Sequence, residues 1–474
     1  MSSSSARFPA GTTIKRVLVA NRGEIAVRIV RACRDLGIET VQVYSEPDAG
    51  SLAVKLADVA IGIGPASARE SYLNQPALIS AAIFGGCDAI HPGYGFLAEN
   101  AAFAELCRRK GFIFIGPQPE VIRMMGDKAE ALAIARRAGV PTIPGSDGLV
   151  ADVAQALAVA SGVGYPILLK ASGGGGGKGM RIVDDPALLE RDFTAAQSEA
   201  RSAFGDPRLY IERYLTDVRH VEVQIVGDGD DVVHLGERDC TIQRRHQKLV
   251  EETPSPALDE RLRDAMTSAA VRLARDAGYR SVGTVEFVLD NGTREFFFIE
   301  MNTRLQVEHP VTEIVSGIDL VQEQIQIASG APLSFSQSDV GLSGCAIECR
   351  INAESAARGF APQPGTITGL RLPAGPWVRV DTHAVAGLVI SPFYDSMIAK
   401  LIVHGSSRAQ AIARMQRALD EIEIGGIETN VDLHRRIMAS PRFQAGVFNT
   451  RFLDDLLGDP AATEASLPSA RATA

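Results

Sequence analysis

The sequence predicts an α/β N-terminal domain, then an α+β central domain, then a β-rich C-terminal domain. Three observations carry this. A strand–helix–strand unit opens the chain at 16–44. Four segments between 219 and 302 alternate in the manner of antiparallel strands, beside a glycine-rich turn at 173–177. A further β-rich section starts at "LSGCAIECRIN" (342–352) and ends in helical segments near Leu456. At about 150 residues per domain, a chain of 474 residues fits three.

"RVLVA" (16–20) reads as a buried strand, "EIAVRIVRACRDLG" (24–37) as a helix closed by Gly37, and "ETVQVY" (39–44) as the next strand. The turn between the first strand and the helix is Asn21-Arg22-Gly23-Glu24, which lacks a G-x-G-x-x-G fingerprint and argues against a dinucleotide-binding first domain. "GCDAIHPGYGFLAEN" and "GFIFIGP" are short apolar strands ending in Gly/Pro loops. Asp127 is placed to cap a helix starting near Lys128, with a boundary close to Met125. "RHVEVQIVGD", "DVVHLGERDC", "GTVEFVLD" and "EFFFIEMN" supply the antiparallel strands, with Asp290-Asn291-Gly292 as the turn between the last two.

The net charge of −9 gives no reason to expect nucleic acid, so an anionic ligand needs a local cluster of positive charge. The 6 cysteines lack CxxC spacing and read as buried small hydrophobes, not zinc ligands. No stretch is long and apolar enough to span a membrane, and the N-terminus lacks the apolar core of a secretory signal. Both termini, 1–13 and 458–474, are small and polar and read as disordered tails.

The stretch "KASGGGGGKGM" (170–180) fits several patterns. A P-loop fails because Ser172 takes the first glycine position and Gly179 follows Lys178 where Ser or Thr is needed. Gly174, Gly176 and Gly179 match a dinucleotide fingerprint, but the run lies between the strands "YPILLK" and "MRIV" and not before a helix. It is a hairpin tip. Without a Cβ its backbone can approach phosphate closely and can move, although a plain surface hairpin has the same signature. Lys170 and Lys178 on its flanks favour phosphate.

In "EMNTRLQVEHP" (300–310), an extended chain would put Glu300, Asn302, Arg304, Gln306 and Glu308 on one face. A solvated strand face is the alternative, but the apolar "EFFFI" just before it enters from a core. Glu286, Glu300 and Asn302 are hard oxygen ligands of the kind magnesium takes beside ATP phosphates. Loop length leaves open whether Glu286 and Glu300 share a face. Arg304 suits a planar oxyanion held bidentately, and Glu308 a base. In "QRRHQKLVEE", which also holds Gln243, a lone His246 would read as an ordinary core or surface group, but with Lys248 two residues on the stretch reads as a local positive patch.

Together these segments resemble the biotin carboxylase family of ATP-grasp enzymes over about residues 14–455. The resemblance rests on "ANRGEIAVRI", "AIHPGYGFLAEN", "MGDK", "KASGGGGGKGM", "ERDCTIQRRHQK", "FIEMNTRLQVEHPVTE", "ECRINAE" and "PFYDSMIAKLI". It implies a Rossmann-like N-terminal domain (14–125), an ATP-grasp domain (126–341) with a mobile glycine-rich lid at about 143–214, and a C-terminal domain (342–457). It further implies that ATP and bicarbonate give carboxyphosphate, and that this intermediate, or the carbon dioxide it releases, carboxylates biotin on a biotin carboxyl carrier protein.

By position, ATP binding would fall to Lys128, Lys170, Gly176, Gly177, Glu212, Arg213, Tyr214, Leu215, His220, Gln243, His246 and Glu286. Two Mg2+ or Mn2+ sites would use Glu286, Glu300 and Asn302. Bicarbonate would meet Lys248, Arg304, Gln306 and the Val307 backbone. Glu308 would deprotonate it, and Arg350 would stabilise the biotin enolate. Cys240 reads as packing.

Arg213 stands where the family usually has lysine. "HAVAGLVISPFYDSM" lacks the family's tyrosines, and Pro376-Trp377 replaces a phenylalanine near the family's dimer contact. No biotinyl-lysine segment or carboxyltransferase domain is seen, so separate carboxyltransferase subunits are expected, with a homodimer and a cytoplasmic location. Acetyl-CoA carboxylase is the expected system; a propionyl-CoA, methylcrotonyl-CoA or pyruvate carboxylase is the alternative. Another ATP-grasp carboxylate–amine ligase, or a non-catalytic nucleotide-binding protein, fits the stripe at 300–308 with Arg350 less well.

Overall fold

The computed structural model describes residues 13–171, 180–245 and 247–458. Its N-terminal part is a five-stranded parallel sheet in the order β3-β2-β1-β4-β5, made of β1 (Arg16–Val19), β2 (Glu39–Ser45), β3 (Val59–Gly64), β4 (Ala89–His91) and β5 (Ile113–Phe114). The helix Gly23–Asp35 connects β1 to β2, as the apolar spacing requires, with Ile25, Ile29 and Val30 buried. The strand order reverses between β1 and β4, the place where open α/β sheets form a crevice. Asn21 Nδ2 bridges the two loops there, donating to the carbonyls of Pro92 (2.6 Å) and Tyr94 (2.7 Å). Gly23 turns the chain into the helix at φ +69°, a region that glycine enters without steric cost.

The helix Lys128–Arg137 begins at Asp127, whose side chain accepts from the backbone N–H of Ala129 and Glu130. A small lobe follows. β6 (Ile167–Ala171) lies between β7 (Met180–Val183) and β8 (Leu209–Arg213), all antiparallel, with the helices Val153–Val163 and Leu189–Phe204 packed on them. The glycine run thus joins two paired strands, Lys170 opposite Met180. Its tip, with Gly176 and Gly177, lies outside the described residues, as does His246.

The main sheet has eight strands. β13 (Phe296–Asn302) is at one edge, followed by β12 (Arg280–Asp290), β9 (Val218–Asp228), β10 (Val232–Arg244), β11 (Gln247–Thr253) and β14 (Cys345–Asn352), then the strands Met397–Gly405 and Val378–Thr382. It is antiparallel wherever its strands pair. The β-rich section after residue 342 therefore extends the sheet of the central part. One core lies under each half: Tyr279, Phe287 and Phe298 under the central strands, and Ile347, Leu401 and Phe443 under the C-terminal ones. All six cysteines are buried thiols, as expected. Among the described residues, no helix is long and apolar enough to cross a membrane.

The base of the small lobe is pinned at Gly145, where Ser146 N–H donates to Ile211 O and Arg213 N–H to Pro144 O, each at 2.8 Å. A Cβ on Gly145 would run into the Ile211 carbonyl and the Glu212 backbone. Gly145→Ala should cost about 1–3 kcal/mol of local stability. Hydrogen exchange should show β8 losing protection while the N-terminal sheet keeps its own.

Candidate active site

A cleft of about 960 Å³ runs between the N-terminal loops and the main sheet, and a single lysine organises its floor. Lys248 Nζ, on β11, donates to Glu222 Oε2 (2.6 Å), Glu308 Oε1 (2.7 Å) and Glu286 Oε1 (3.0 Å). The lysine is nearly buried and Glu222 and Glu308 fully so. Burial alone would drive the ammonium toward neutrality, but the three carboxylates raise its pKa well above the ordinary lysine value.

Strand register explains the convergence. Glu286 on β12 pairs with Glu300 on β13 and with Glu222 on β9. One residue later, β13 bulges so that Phe287 faces Phe298. Glu286 and Glu300 therefore share a face, which loop length alone left open. Asn302 Nδ2 donates to Glu286 Oε1 at 2.7 Å, and His220 Nε2 lies 2.8 Å from Glu286 Oε2. Burial would raise the Glu286 carboxyl, but Lys248 and His220 hold it far below the carboxylate range. Burial and the Glu286 charge raise Glu300. Two crowded carboxylates with an amide oxygen beside them suit a divalent cation, so the residues present fit the expected metal.

The extended reading of 300–308 needs correction. β13 ends at Asn302, and the chain then turns into the helix His309–Ser316, with Glu308 at its N-cap position and Pro310 in its first turn. β13 is the last strand of its sheet, and among the described residues its outer side is met only at Phe298, by Pro141 and Thr142, short of the segment that follows Asn302. Instead Glu99 receives the Thr303 N–H (3.2 Å) and Arg304 Nε (2.7 Å). The turn still gathers the polar residues: Arg304 donates to Gln306 Oε1 (3.0 Å) and Asn302 Oδ1 (3.1 Å).

Glu308 is not paired with Arg304, beside which the sequence set it. It is fully buried, and its second oxygen accepts from Arg350 Nη2 at 2.8 Å. Burial opposes its charge, yet Lys248, Arg350 and Arg238 hold its pKa well below the usual range. Cys240 Sγ lies 3.9 Å from Glu308 Oε1, and burial raises the thiol well above its usual value. The Val307 carbonyl accepts from the buried Lys400 Nζ at 2.9 Å, which fixes that peptide's direction.

His220, Gln243, Lys248, Glu286, Glu300, Asn302, Arg304, Gln306, Val307 and Arg350 all line the cleft. The other predicted residues lie around it. Lys128 is exposed at its helix N-terminus, with its charge acting on Glu300. Lys170 Nζ is held by Glu212 at 2.7 Å. Arg213 stacks over the Phe297 ring at 5.4 Å, Tyr214 N–H donates to Pro166 O, and Leu215 is half-buried just beyond β8.

Sequence reasoning missed Glu222, Arg238, Glu99 and Glu251. Arg238 is fully buried and donates to Glu222, Gln224, Thr284 and Thr312. Period two along "RHVEVQ" puts Glu222 and Gln224 on the face of His220, a usable signal. Glu99 and Glu251 arrive from distant segments and left none.

A parallel N-terminal sheet, an antiparallel sheet with paired carboxylates, and a small lobe with a glycine hairpin together define an ATP-grasp ligase. The biotin carboxylase N-terminal domain model matches residues 13–122, the ATP-binding domain of the carbamoyl-phosphate synthase L chain matches 127–336, and the biotin carboxylase C-terminal domain matches 348–455. The chain is 53% identical to biotin carboxylase 1 of Bacillus subtilis, covering 94% of this chain and 100% of that one. It is 51% identical to one of the pyruvate carboxylase subunits of Methanothermobacter thermautotrophicus, covering 93% and 89%. Among solved structures, it matches the biotin carboxylase domain dimer of 2-oxoglutarate carboxylase from Hydrogenobacter thermophilus, in complex with MgADP, ADP and bicarbonate. There the TM-score is 0.86 at 49% identity, covering 94% of this chain and 98% of that one. The chain belongs to the biotin carboxylase family.

Removing one partner from a fully buried ion network leaves an uncompensated charge. Glu222→Ala should therefore destabilise the chain by about 3–5 kcal/mol in chemical denaturation. A loss under about 1 kcal/mol would mean that Lys248 and Arg238 gain nothing from Glu222.

Proposed function

We propose that this chain uses ATP and bicarbonate to carboxylate the ureido nitrogen of biotin on a biotin carboxyl carrier protein, through carboxyphosphate. The observation that carries this is the buried Glu308 carboxylate between Lys248 and Arg350, at 2.7 and 2.8 Å. It is ionised at neutral pH, as a base must be, and it lies under the cleft where Arg304, Gln306 and the Val307 peptide would seat bicarbonate.

Lys248 and Arg304 are the cations available to a small anion there. As Lys248 turns toward bicarbonate and the transferring phosphoryl group, Glu308 loses one of the three charges that hold it and its proton affinity rises. Glu308 then takes the bicarbonate proton, and the freed oxygen attacks the γ-phosphorus as ADP departs. Lys170, Lys128, His220, Gln243, His246, the lid glycines Gly176 and Gly177, and Glu212 to Leu215 form the proposed ATP seat. Glu286, Glu300 and Asn302 would hold two Mg2+ or Mn2+ ions, which neutralise charge on the phosphates when bound. In the second step carboxyphosphate parts into carbon dioxide and phosphate, and the phosphate takes the proton from the ureido nitrogen of biotin. Arg350 meets the negative charge that develops on the ureido oxygen, and the nitrogen bonds to the carbon of carbon dioxide.

The division into 14–125, 126–341 with a lid at about 143–214, and 342–457 is part of the proposal, supported by the three matched family models. So are a homodimer, a cytoplasmic location, and separate carrier and carboxyltransferase subunits. Acetyl-CoA is the proposed final acceptor. The pyruvate carboxylase component found among the relatives supports a 2-oxo acid as the second reading.

Glu308→Gln keeps the shape and removes the base. Bicarbonate-dependent ATP cleavage should fall by about 10²–10⁴-fold, with ATP binding little changed. Full biotin carboxylation by this variant would overturn the assignment.

A further inference from the structure

Two buried carboxyl groups behind Arg350 have no part in the steps above. Glu251 on β11 and Glu348 on β14 are direct register partners, so their side chains leave the same face of the sheet side by side. Both are 0% exposed. Glu251 Oε1 accepts from Arg350 Nε at 2.6 Å. Glu251 Oε2 and both oxygens of Glu348 have no hydrogen-bond partner among the described residues. Two ionised carboxylates so placed would repel each other and leave three buried acceptors bare, an arrangement that native interiors avoid. One proton removes the repulsion and joins two of the three oxygens, because a carboxylic acid can donate to the carboxylate opposite it, and the third oxygen becomes the carbonyl of a neutral acid.

We propose that Glu251 and Glu348 share one proton as an acid–carboxylate pair, and that this pair positions Arg350 and leaves its charge available to the substrate anion. The proposal deepens the reading of Arg350 as the group that meets biotin, and its functional half rests on that reading.

The surrounding charges set its logic. Around the pair stand Arg350 on β14 itself and Lys248 on β11. The strand Met397–Gly405 contributes Lys400, opposite Arg350, and puts Ile402 opposite Glu348. The helix His309–Ser316, packed over β11 and β14, carries Glu308, His309 and Glu313. Tyr94 comes from the N-terminal part, its hydroxyl donating to Glu24, which also lies 3.1 Å from Lys400 Nζ. Arg350 is already gripped by two carboxylates, Glu251 and Glu308. A third ionised neighbour would cancel the positive charge that biotin's ureido oxygen needs.

Burial raises Glu348 well above the carboxylate range, against the pull of Lys400 and with the charge of Glu251 adding to it. Burial raises Glu251 to about 7, against Arg350. The two titrate as a unit. As pH rises the pair loses its proton, Arg350 faces the extra negative charge, and turnover of biotin falls.

The test uses the full chain with Mg2+, ATP, bicarbonate and free biotin, in wild type, Glu348→Gln and Glu348→Ala. The amide of Glu348→Gln can donate to Glu251 Oε2 as the acid does. It should restore most of the kcat/KM for biotin that Glu348→Ala loses, about tenfold or more for a lost positioning contact, while KM for ATP stays constant across the three. It should also remove the alkaline fall in kcat/KM, having no proton to lose there. Infrared difference spectra should show a protonated carboxyl in wild type that Glu348→Gln lacks. Absence of that signal, or a Glu348→Gln variant that folds yet is as impaired as Glu348→Ala, would overturn the shared proton. If the signal is present but Arg350→Lys leaves kcat/KM for biotin unchanged, the pair stands and the assignment of Arg350 falls.

Discussion

The site is organised around the charge on Lys248. It draws together Glu222 from β9, Glu286 from β12 and Glu308 from the turn beyond β13, all within 3.0 Å of one ammonium group. Burial works against the charges of Glu286 and Glu308, and Lys248 counters it at both. Arg238 shares Glu222 with Lys248, and Arg350 shares Glu308 with it, so the three cations and three carboxylates form a connected network. Such a network is stable at rest and poised for exchange. An incoming anion or metal can replace one partner without leaving any group uncompensated.

The rest of the fold holds this network in place from three directions. The main sheet runs without interruption from β13 to the strand Val378–Thr382, so Glu286, Lys248 and Arg350 sit on one continuous surface. The N-terminal part is tied to that surface at the same spot. Lys400 reaches Glu24, at the start of the first helix, and the Val307 carbonyl, one residue before Glu308. Arg28 from the same helix pairs with Glu313 and Asp319 beyond the turn. Glu99 then holds Arg304 from across the cleft. Arg304 and Glu308 are thus positioned by contacts between separate parts of the chain, and not by a strand of their own.

That division explains what the sequence made legible. The opening strand–helix–strand unit, the Asp127 cap and the strand-to-strand setting of the glycine run are local features, and each appears as expected. The gathering of Glu286, Asn302, Arg304 and Lys248 was also legible, because their residue types suit one chemistry. The turn after Asn302 was not, since alternation alone cannot tell an extended edge from a chain redirected by Glu99 and a proline-started helix. The shared face of Glu286 and Glu300 depended on a bulge in β13 at Ile299 that no pattern announces. Glu222 was within reach of the alternation rule. Glu251, Glu348 and Lys400 instead take their meaning from neighbours on other strands, such as Arg350, which lies 99 residues from Glu251.

Lys248 holds the carboxylates, and the proposed mechanism has it turn to the substrates when they bind. A crystal structure of this chain with Mg2+, nucleotide and bicarbonate tests this most directly. Lys248 Nζ should leave Glu308 and contact bicarbonate together with Arg304, which gives up Glu99, while Glu308 stays within hydrogen-bond reach of the bicarbonate hydroxyl. Bicarbonate bound elsewhere, with Lys248 still on all three carboxylates, would contradict it.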